Sequence, residues 1–281
     1  IREVADDAVA DANFIGDEHL MYAFRIDEKT GALSQIGKPV ALPQRPVYVT
    51  CDIPGKHLAM VFPYGDVGLA IIRLKDDGSL GELIEKRQNA GNHPHMVRIT
   101  PDNRFCISVA RGRPSDWPHF SWAADKARQK EPGSLEVIEF RDGALGKQTS
   151  VTVGDGYQFG SRHLDFHPTS PWVYVQLETQ NEIVVFKRDE SGVLPAPLQR
   201  LCTLENPDDI LLRHMQGTVK VHPHGQALYV ANRAHEPIPQ RNGTELLLKH
   251  LGENSFVVYA IDEATGLLTQ IQRIDSGGIS P

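Results

Sequence analysis

Leu164-Asp165-Phe166, then Pro168, then Trp172-Val173-Tyr174-Val175: a short apolar run, a turn built on proline, and a second run of aromatic and β-branched residues. Runs of this length and composition, bounded by turn residues, read as paired strands. The same phrase occurs three more times. Val47-Tyr48-Val49 leads through Pro54 to Leu58-Ala59-Met60-Val61, and Met96-Val97-Arg98-Ile99 leads through Pro101 to Phe105-Cys106-Ile107-Ser108-Val109. Val219-Lys220-Val221 leads through Pro223 to Leu228-Tyr229-Val230. Four inner hairpins are therefore expected.

A second motif recurs out of phase with the first: a turn glycine followed by an x-Leu step. It stands at Gly31-Ala32-Leu33, Gly78-Ser79-Leu80, Gly143-Ala144-Leu145, Gly192-Val193-Leu194 and Gly266-Leu267-Leu268. A strand-like run such as Leu135-Glu136-Val137-Ile138-Glu139-Phe140 precedes each, which predicts five outer hairpins. Pro54 to Pro101 and Gly31 to Gly78 both span 47 residues. Four short strands per unit at this period predict an all-β fold, a β-propeller of four-stranded blades with about five blades in this chain. A helical solenoid is disfavoured because the apolar pattern is β-branched and broken by turns about every ten residues. Open rings leave bare strand edges, so the chain is read as part of a larger ring.

The longer intervals place insertions at 113–133, with Trp117, Phe120 and Trp122, and at 234–254, with a long connection around 203–214. One domain is expected over 1–281, with 1–18 irregular. The 281 residues carry 29 Lys and Arg against 36 Asp and Glu, a net charge of −7. That balance disfavours a nucleic-acid backbone as partner. No segment has the apolar length of a membrane helix, so no membrane partner is expected, and a cytoplasmic location is expected with a periplasmic one also compatible. Cys51, Cys106 and Cys202 have neither metal spacing nor a disulfide framework, and Cys106 reads as a buried small hydrophobe. The 12 histidines include no HExxH, and there is no glycine-rich phosphate loop or G-x-S-x-G nucleophile turn. Neither a cofactor nor a metal is expected.

A chain that repeats can be subtracted from itself. Aligned on the turn prolines, the residues six before are Tyr48, His95, Arg162 and Gly217, and those ten after are Tyr64, Arg111, Glu178 and Arg233. The positions between are mostly apolar. Both sets should face each other across the inner hairpins, away from the turn, and ring one mouth of the central channel, under the insertions. Polar residues grafted at one end of a plain scaffold point to function. His167 and His222 precede the turn prolines and read as turn residues at the opposite face. His57, His93 and His224 read as loop or surface.

His93-Pro94-His95, Ser161-Arg162-His163-Leu164-Asp165-Phe166-His167-Pro168 and Tyr229-Val230-Ala231-Asn232-Arg233 resemble phrases of the seven-bladed propeller lactonase family, which includes a bacterial type of 6-phosphogluconolactonase and the fungal carboxymuconate lactonising enzyme. The resemblance runs from about residue 19 to the end. It implies a seven-bladed ring and a site of His95, Arg162, Glu178 and Arg233, the set that the repeat had already selected. Met96 stands where the family often has Gln, and Leu177 where it often has Asn. The implied activity is metal-free hydrolysis of a small anionic sugar lactone such as 6-phosphogluconolactone, with Arg111, Tyr64 and His163 as further substrate-binding candidates. The alternatives are a cycloisomerase that forms a lactone from a carboxylated muconate, and a non-catalytic propeller that binds a ligand or partner at its mouth.

Overall fold

The computed structural model describes residues 18–113, 131–208, 214–234, 238–242, 245–249 and 252–278. No helix occurs among them. A two-stranded hairpin comes first, β1 (Leu20–Ile26) with β2 (Leu33–Ala41), and four antiparallel blades follow. The first blade is β3 (Tyr48–Cys51), β4 (His57–Val61), β5 (Leu69–Leu74) and β6 (Leu80–Arg87). The second is β7 (Pro94–Ile99), β8 (Phe105–Ala110), β9 (Ser134–Arg141) and β10 (Ala144–Val151). The third joins β11 (Ser161–Phe166), β12 (Trp172–Leu177), β13 (Glu182–Asp189) and β15 (Gln199–Cys202), with the short β14 (Gly192–Val193) also on β13. Inside the second insertion, β18 (Ile238–Asn242) and β19 (Glu245–Lys249) form a separate hairpin. The fourth blade is β16 (His214–Val221), β17 (Ala227–Ala234), β20 (Ser255–Ile261) and β21 (Leu268–Asp275).

The four inner and five outer hairpins thus stand where the two motifs put them. Residues 1–17, the interior of the first insertion with Trp117, Phe120 and Trp122, residues 209–213 and parts of 235–251 lie outside the described residues, so the expected overhang of the insertions does too. The base of the first insertion is described: Arg113 and Glu131 exchange two backbone hydrogen bonds, at 2.8 and 3.0 Å.

Each apolar cluster spans a seam between neighbouring units. One joins the second blade (Ile107, Val109, Leu135) to the third (Leu164, Val175, Phe186), and another joins the third (Tyr174, Ile183, Val185) to the fourth (Val219, Val230, Tyr259). Blades cannot bury both faces alone, so stacking supplies the core. Cys106 is fully buried in the seam between the first two blades.

The outer-turn glycines are fitted to this stacking. The first residue of the second strand in one blade, His57, Phe105 or Trp172, lies against Gly143, Gly192 or Gly266 of the next blade. Those glycines have φ of +85°, +111° and +74°, conformations that favour glycine. A Cβ on Gly266 would lie 2.4 Å from Trp172 Cδ2. Gly266→Ala therefore meets both a backbone penalty and a clash, and chemical denaturation should show a loss of about 1–3 kcal/mol.

His57 departs from expectation. It is buried rather than on the surface, with 3% of its area exposed. Its Nδ1 lies 2.8 Å from Asp52 Oδ2, and Asp52 Oδ1 accepts from the Lys56 and His57 N–H groups. The carboxylate thus satisfies the tight turn of the first inner hairpin. His167 is a turn residue as expected, its Nδ1 accepting from Thr169 and Ser170 N–H and its Nε2 facing the Gly225 carbonyl at 3.1 Å.

Candidate active site

Three inner hairpins carry the same irregularity. Register shifts by one residue between Pro94 and Met96, between Ser161 and His163, and between Gln216 and Val219. Each extra residue is a β-bulge, which leaves its backbone outside the ladder and re-aims its side chain. His95 and Arg162 are the bulged residues of β7 and β11. This corrects the expected pairing across each hairpin. The residue ten after the proline pairs with the one eight before it: Arg111 N–H donates to His93 O at 3.1 Å, Glu178 N–H donates to Gly160 O at 2.9 Å, and Arg233 pairs with Met215. The bulge interposes one residue and breaks the symmetry assumed from the sequence.

Despite that offset, the side chains converge. Glu178 is 1% exposed and is surrounded by guanidinium groups from three blades. Its Oε1 lies 2.9 Å from Arg162 Nε and 2.7 Å from Arg233 Nη2, and its Oε2 lies 3.0 Å from Arg111 Nη1. Arg162 Nη1 also donates to the Gly217 carbonyl, on the bulge of the fourth blade.

Polar groups at the seams hold these residues. Ser161 Oγ donates to Ala110 O, just before Arg111, and Gln216 N–H donates to Glu178 O. Beside Arg233, Asn232 Nδ2 donates to Thr203 O at 2.7 Å, and the Thr203 hydroxyl lies 2.8 Å from Asn232 Oδ1 and 3.0 Å from Asn181 O. Thr203 and Asn181 went unnoticed in the sequence because they lie outside the aligned hairpins, and Ser161, quoted in the phrase that leads to Pro168, was given no role there. One signal was available in Asn181, an asparagine at an abrupt strand junction that adopts φ +54°.

Two histidine rings stand beside the arginines. His95 and His163 meet edge to face, with centroids 5.3 Å apart. Arginine can only donate, so Arg162 Nη1, 3.4 Å from His163 Nε2, assigns the proton of that ring to Nδ1, which then donates to Thr218 Oγ1 at 3.2 Å. His163 has both nitrogens engaged, whereas His95 Nδ1 is buried without a partner among the described residues. Burial pushes His95 down to about 2, helped by the charges of Arg162 and Arg111, and pushes His163 down to about 3, with Arg162 and Lys220 adding to it. Both rings are neutral near pH 7.

The remaining candidate, Tyr64, sits apart. It is 57% exposed and its ring meets His93 at 5.9 Å. His93 has φ +50°, and its Nε2 faces Glu131 Oε2 and Arg113 Nη2, so it belongs to the base of the first insertion rather than to open surface. Met96 fills the seam beneath the site, its sulfur accepting from Leu164 N–H at 3.2 Å, and Leu177 is fully buried in the core.

The family described as "Lactonase, 7-bladed beta-propeller" matches residues 8–281. The chain belongs to this lactonase family. Among its relatives is 6-phosphogluconolactonase of Bacillus subtilis, 22% identical over 268 residues that cover 92% of this chain and 65% of that protein. Another is 6-phosphogluconolactonase of Cronobacter sakazakii, 26% identical over 216 residues, 77% of this chain and 58% of that protein. The chain thus spans less than two thirds of the length of these lactonase-family relatives. The structure of the Pseudomonas aeruginosa periplasmic gluconolactonase superposes with a TM-score of 0.68 at 20% identity, covering 92% of this chain and 65% of that one. That likeness agrees with the propeller fold of the four blades and the β1–β2 hairpin, for which the family's description gives seven blades.

The histidines also make stability depend on pH. The unfolded chain binds a proton on each ring below its ordinary value of 6.5, while the folded state does so only near 2 and 3. Across that window the unfolded state holds more protons, so stability falls as pH falls. The expected slope is about 1.4 kcal/mol per pH unit for each ring, with no contribution from either above pH 7. Denaturant titrations between pH 7 and pH 5 measure it.

Proposed function

We propose that this chain carries the active site of a hydrolase that opens a small anionic sugar lactone, such as 6-phosphogluconolactone. The observation that carries this reading is the convergence of Arg111, Arg162 and Arg233 on the single buried carboxylate of Glu178, beside a neutral His95. Family membership and the two 6-phosphogluconolactonase relatives support it.

Opening a lactone needs a deprotonated water, a stabilised oxyanion and a proton for the leaving oxygen. His95 is neutral, so one of its ring nitrogens carries a lone pair, which suits a general base. Its pKa near 2 is too low for an efficient base in the empty site. Burial is the main cause of that low value and the arginine charges add to it, so an anionic substrate, which cancels part of the arginine charge, raises the ring's pKa. The water oxygen then bonds to the carbonyl carbon as its proton moves to His95. Arg162 and Arg233 hold the negative charge on the carbonyl oxygen. The ring C–O bond breaks, and His95 returns the proton to the leaving alkoxide. Glu178 keeps the guanidiniums oriented, so their reorganisation cost falls on folding rather than on the reaction.

The test is turnover of 6-phosphogluconolactone and of a panel of uncharged lactones, followed by proton release. Opening of the phosphorylated lactone supports the assignment. Ligand binding with no turnover across the panel would leave a binding propeller. Closure of a carboxylated muconate instead would make the site a cycloisomerase.

A further inference from the structure

His93 stands two residues before His95 and holds a conformation that its neighbour resists. Its φ is +50°, in the left-handed region, and it precedes Pro94, whose ring pushes the residue before it toward extended backbone. Asn103, Asp142 and Asn181 share positive φ, but they are the residue types that tolerate it, and none of them precedes a proline. Such a conformation persists only where its surroundings hold it. The side chain of His93 is 14% exposed, its ring meets Tyr64 edge to face, and its Nε2 lies 2.6 Å from Arg113 Nη2 and 3.0 Å from Glu131 Oε2. Burial and the charge of Arg113 push the ring's pKa down, which keeps it neutral near pH 7. Arginine can only donate, so Nε2 accepts from Arg113 while the Glu131 carboxylate lies beside both. The backbone is fixed as well. Arg111 N–H donates to His93 O at 3.1 Å and Gly112 N–H to Asn92 O at 2.9 Å.

We propose that His93 is the positioning residue for His95, its ring tying the strand that carries the bulge to the base of the first insertion and so holding the His95 imidazole toward the substrate. This deepens the lactonase reading and rests on it. A bulged residue is left outside the ladder, so its place is set by what flanks it. After His95, Met96 is buried in the seam and its sulfur accepts from Leu164 N–H. Before it, Pro94 passes on the direction of His93 with little freedom, because its own φ is fixed by its ring. Arg113 and Glu131 pair across the base of the insertion, so both partners of the His93 ring are held at one point of the backbone. The anchor lies outside the arginine cluster around Glu178. Its loss would displace the base without removing a group that touches the substrate, and a displacement of about 1 Å can cost about 10²-fold in rate.

The experiment reads kcat and KM for 6-phosphogluconolactone in wild type, His93→Gly, His95→Ala and the double variant. Glycine adopts positive φ freely, so His93→Gly keeps the backbone path and removes only the ring. Its kcat should fall by about 10- to 100-fold with KM near wild type. In the His95→Ala background the same change should have no further effect, because the group that it positions is gone. His93→Gln, whose amide can accept from Arg113 and donate to Glu131, should recover most of the loss. A merely structural residue would lower activity by the same factor in both backgrounds, and that result overturns the proposal. Full activity in a folded His93→Gly, or no recovery with glutamine, overturns it too. Should His93→Gly fail to fold, Arg113→Met, which leaves His93 in place and withdraws its donor, is read in the same way. If wild type does not open the lactone, the hydrolase reading fails by itself. The ring-nitrogen NMR signals of His95, assigned by their loss in His95→Ala, then decide the positioning role: a shift or broadening in His93→Gly supports it, and unchanged signals overturn it.

Discussion

Glu178→Gln is expected to lower the free energy of unfolding by about 3–5 kcal/mol, the range for removing one partner from a buried ionic cluster. The glutamine has nearly the same shape, so the loss is one of charge. Three guanidiniums would then face each other across a few ångströms with no anion between them, each taken largely out of water by the packing of neighbouring blades. Repulsion and unrepaid desolvation act in the same direction. A second substitution separates this cause from a packing defect. Removing one guanidinium as well, in Glu178→Gln with Arg111→Met, relieves part of the repulsion, so the double variant should be more stable than the sum of the single losses predicts, by about 0.5–3 kcal/mol. Urea titrations of the four proteins close the cycle. Additive losses would show that the cluster is held by its surroundings and not by the carboxylate.

His95→Ala is expected to lower kcat/KM for the lactone by about 10²–10⁴-fold, the usual contribution of a positioned general acid or base. Its pH profile distinguishes His95 from another proton acceptor. In the free protein His95 is pushed down to about 2, and kcat/KM reports the free enzyme. The wild-type profile should therefore show no limb near 6.5 from this group. The kcat profile, which reports the substrate complex, should show its limb at higher pH than the kcat/KM profile, because the bound anion raises the ring. A limb near 6.5 in kcat/KM that survives in His95→Ala would assign the proton transfer elsewhere. Full activity in a folded His95→Ala would remove the ring from the reaction.

The scaffold was legible because its physics is local. Short apolar runs, proline turns and turn glycines each constrain a few residues, and repetition multiplies a weak signal. Convergence of His95, Arg162, Glu178 and Arg233 was also legible, because the repeat supplied a common coordinate for residues separated by as many as 138 positions. The bulges were not. Whether an inner strand carries an extra residue depends on how it packs against the strand of the next blade, as in the Leu164 N–H to Met96 contact, and no residue type marks it. Burial of His57 was missed for a related reason. Its partner Asp52 is five residues away within a turn that reads as exposed, while the glycine that covers it, Gly143, comes from the next blade.

The bulged residues have a further consequence for how such a site diversifies. A residue within a regular ladder has two duties, since its backbone closes hydrogen bonds and its side chain fills a seam. His95, Arg162 and the Gly217-Thr218 step stand outside the ladder, so changes of side chain there leave strand pairing intact. One structural template thus offers three interchangeable sockets, occupied in this chain by an imidazole, a guanidinium and a bare backbone carbonyl. Exchanging their occupants would permute the chemistry around Glu178 while the blades remain as they are, which makes the bulge a unit of inheritance for function that is separable from the inheritance of the fold.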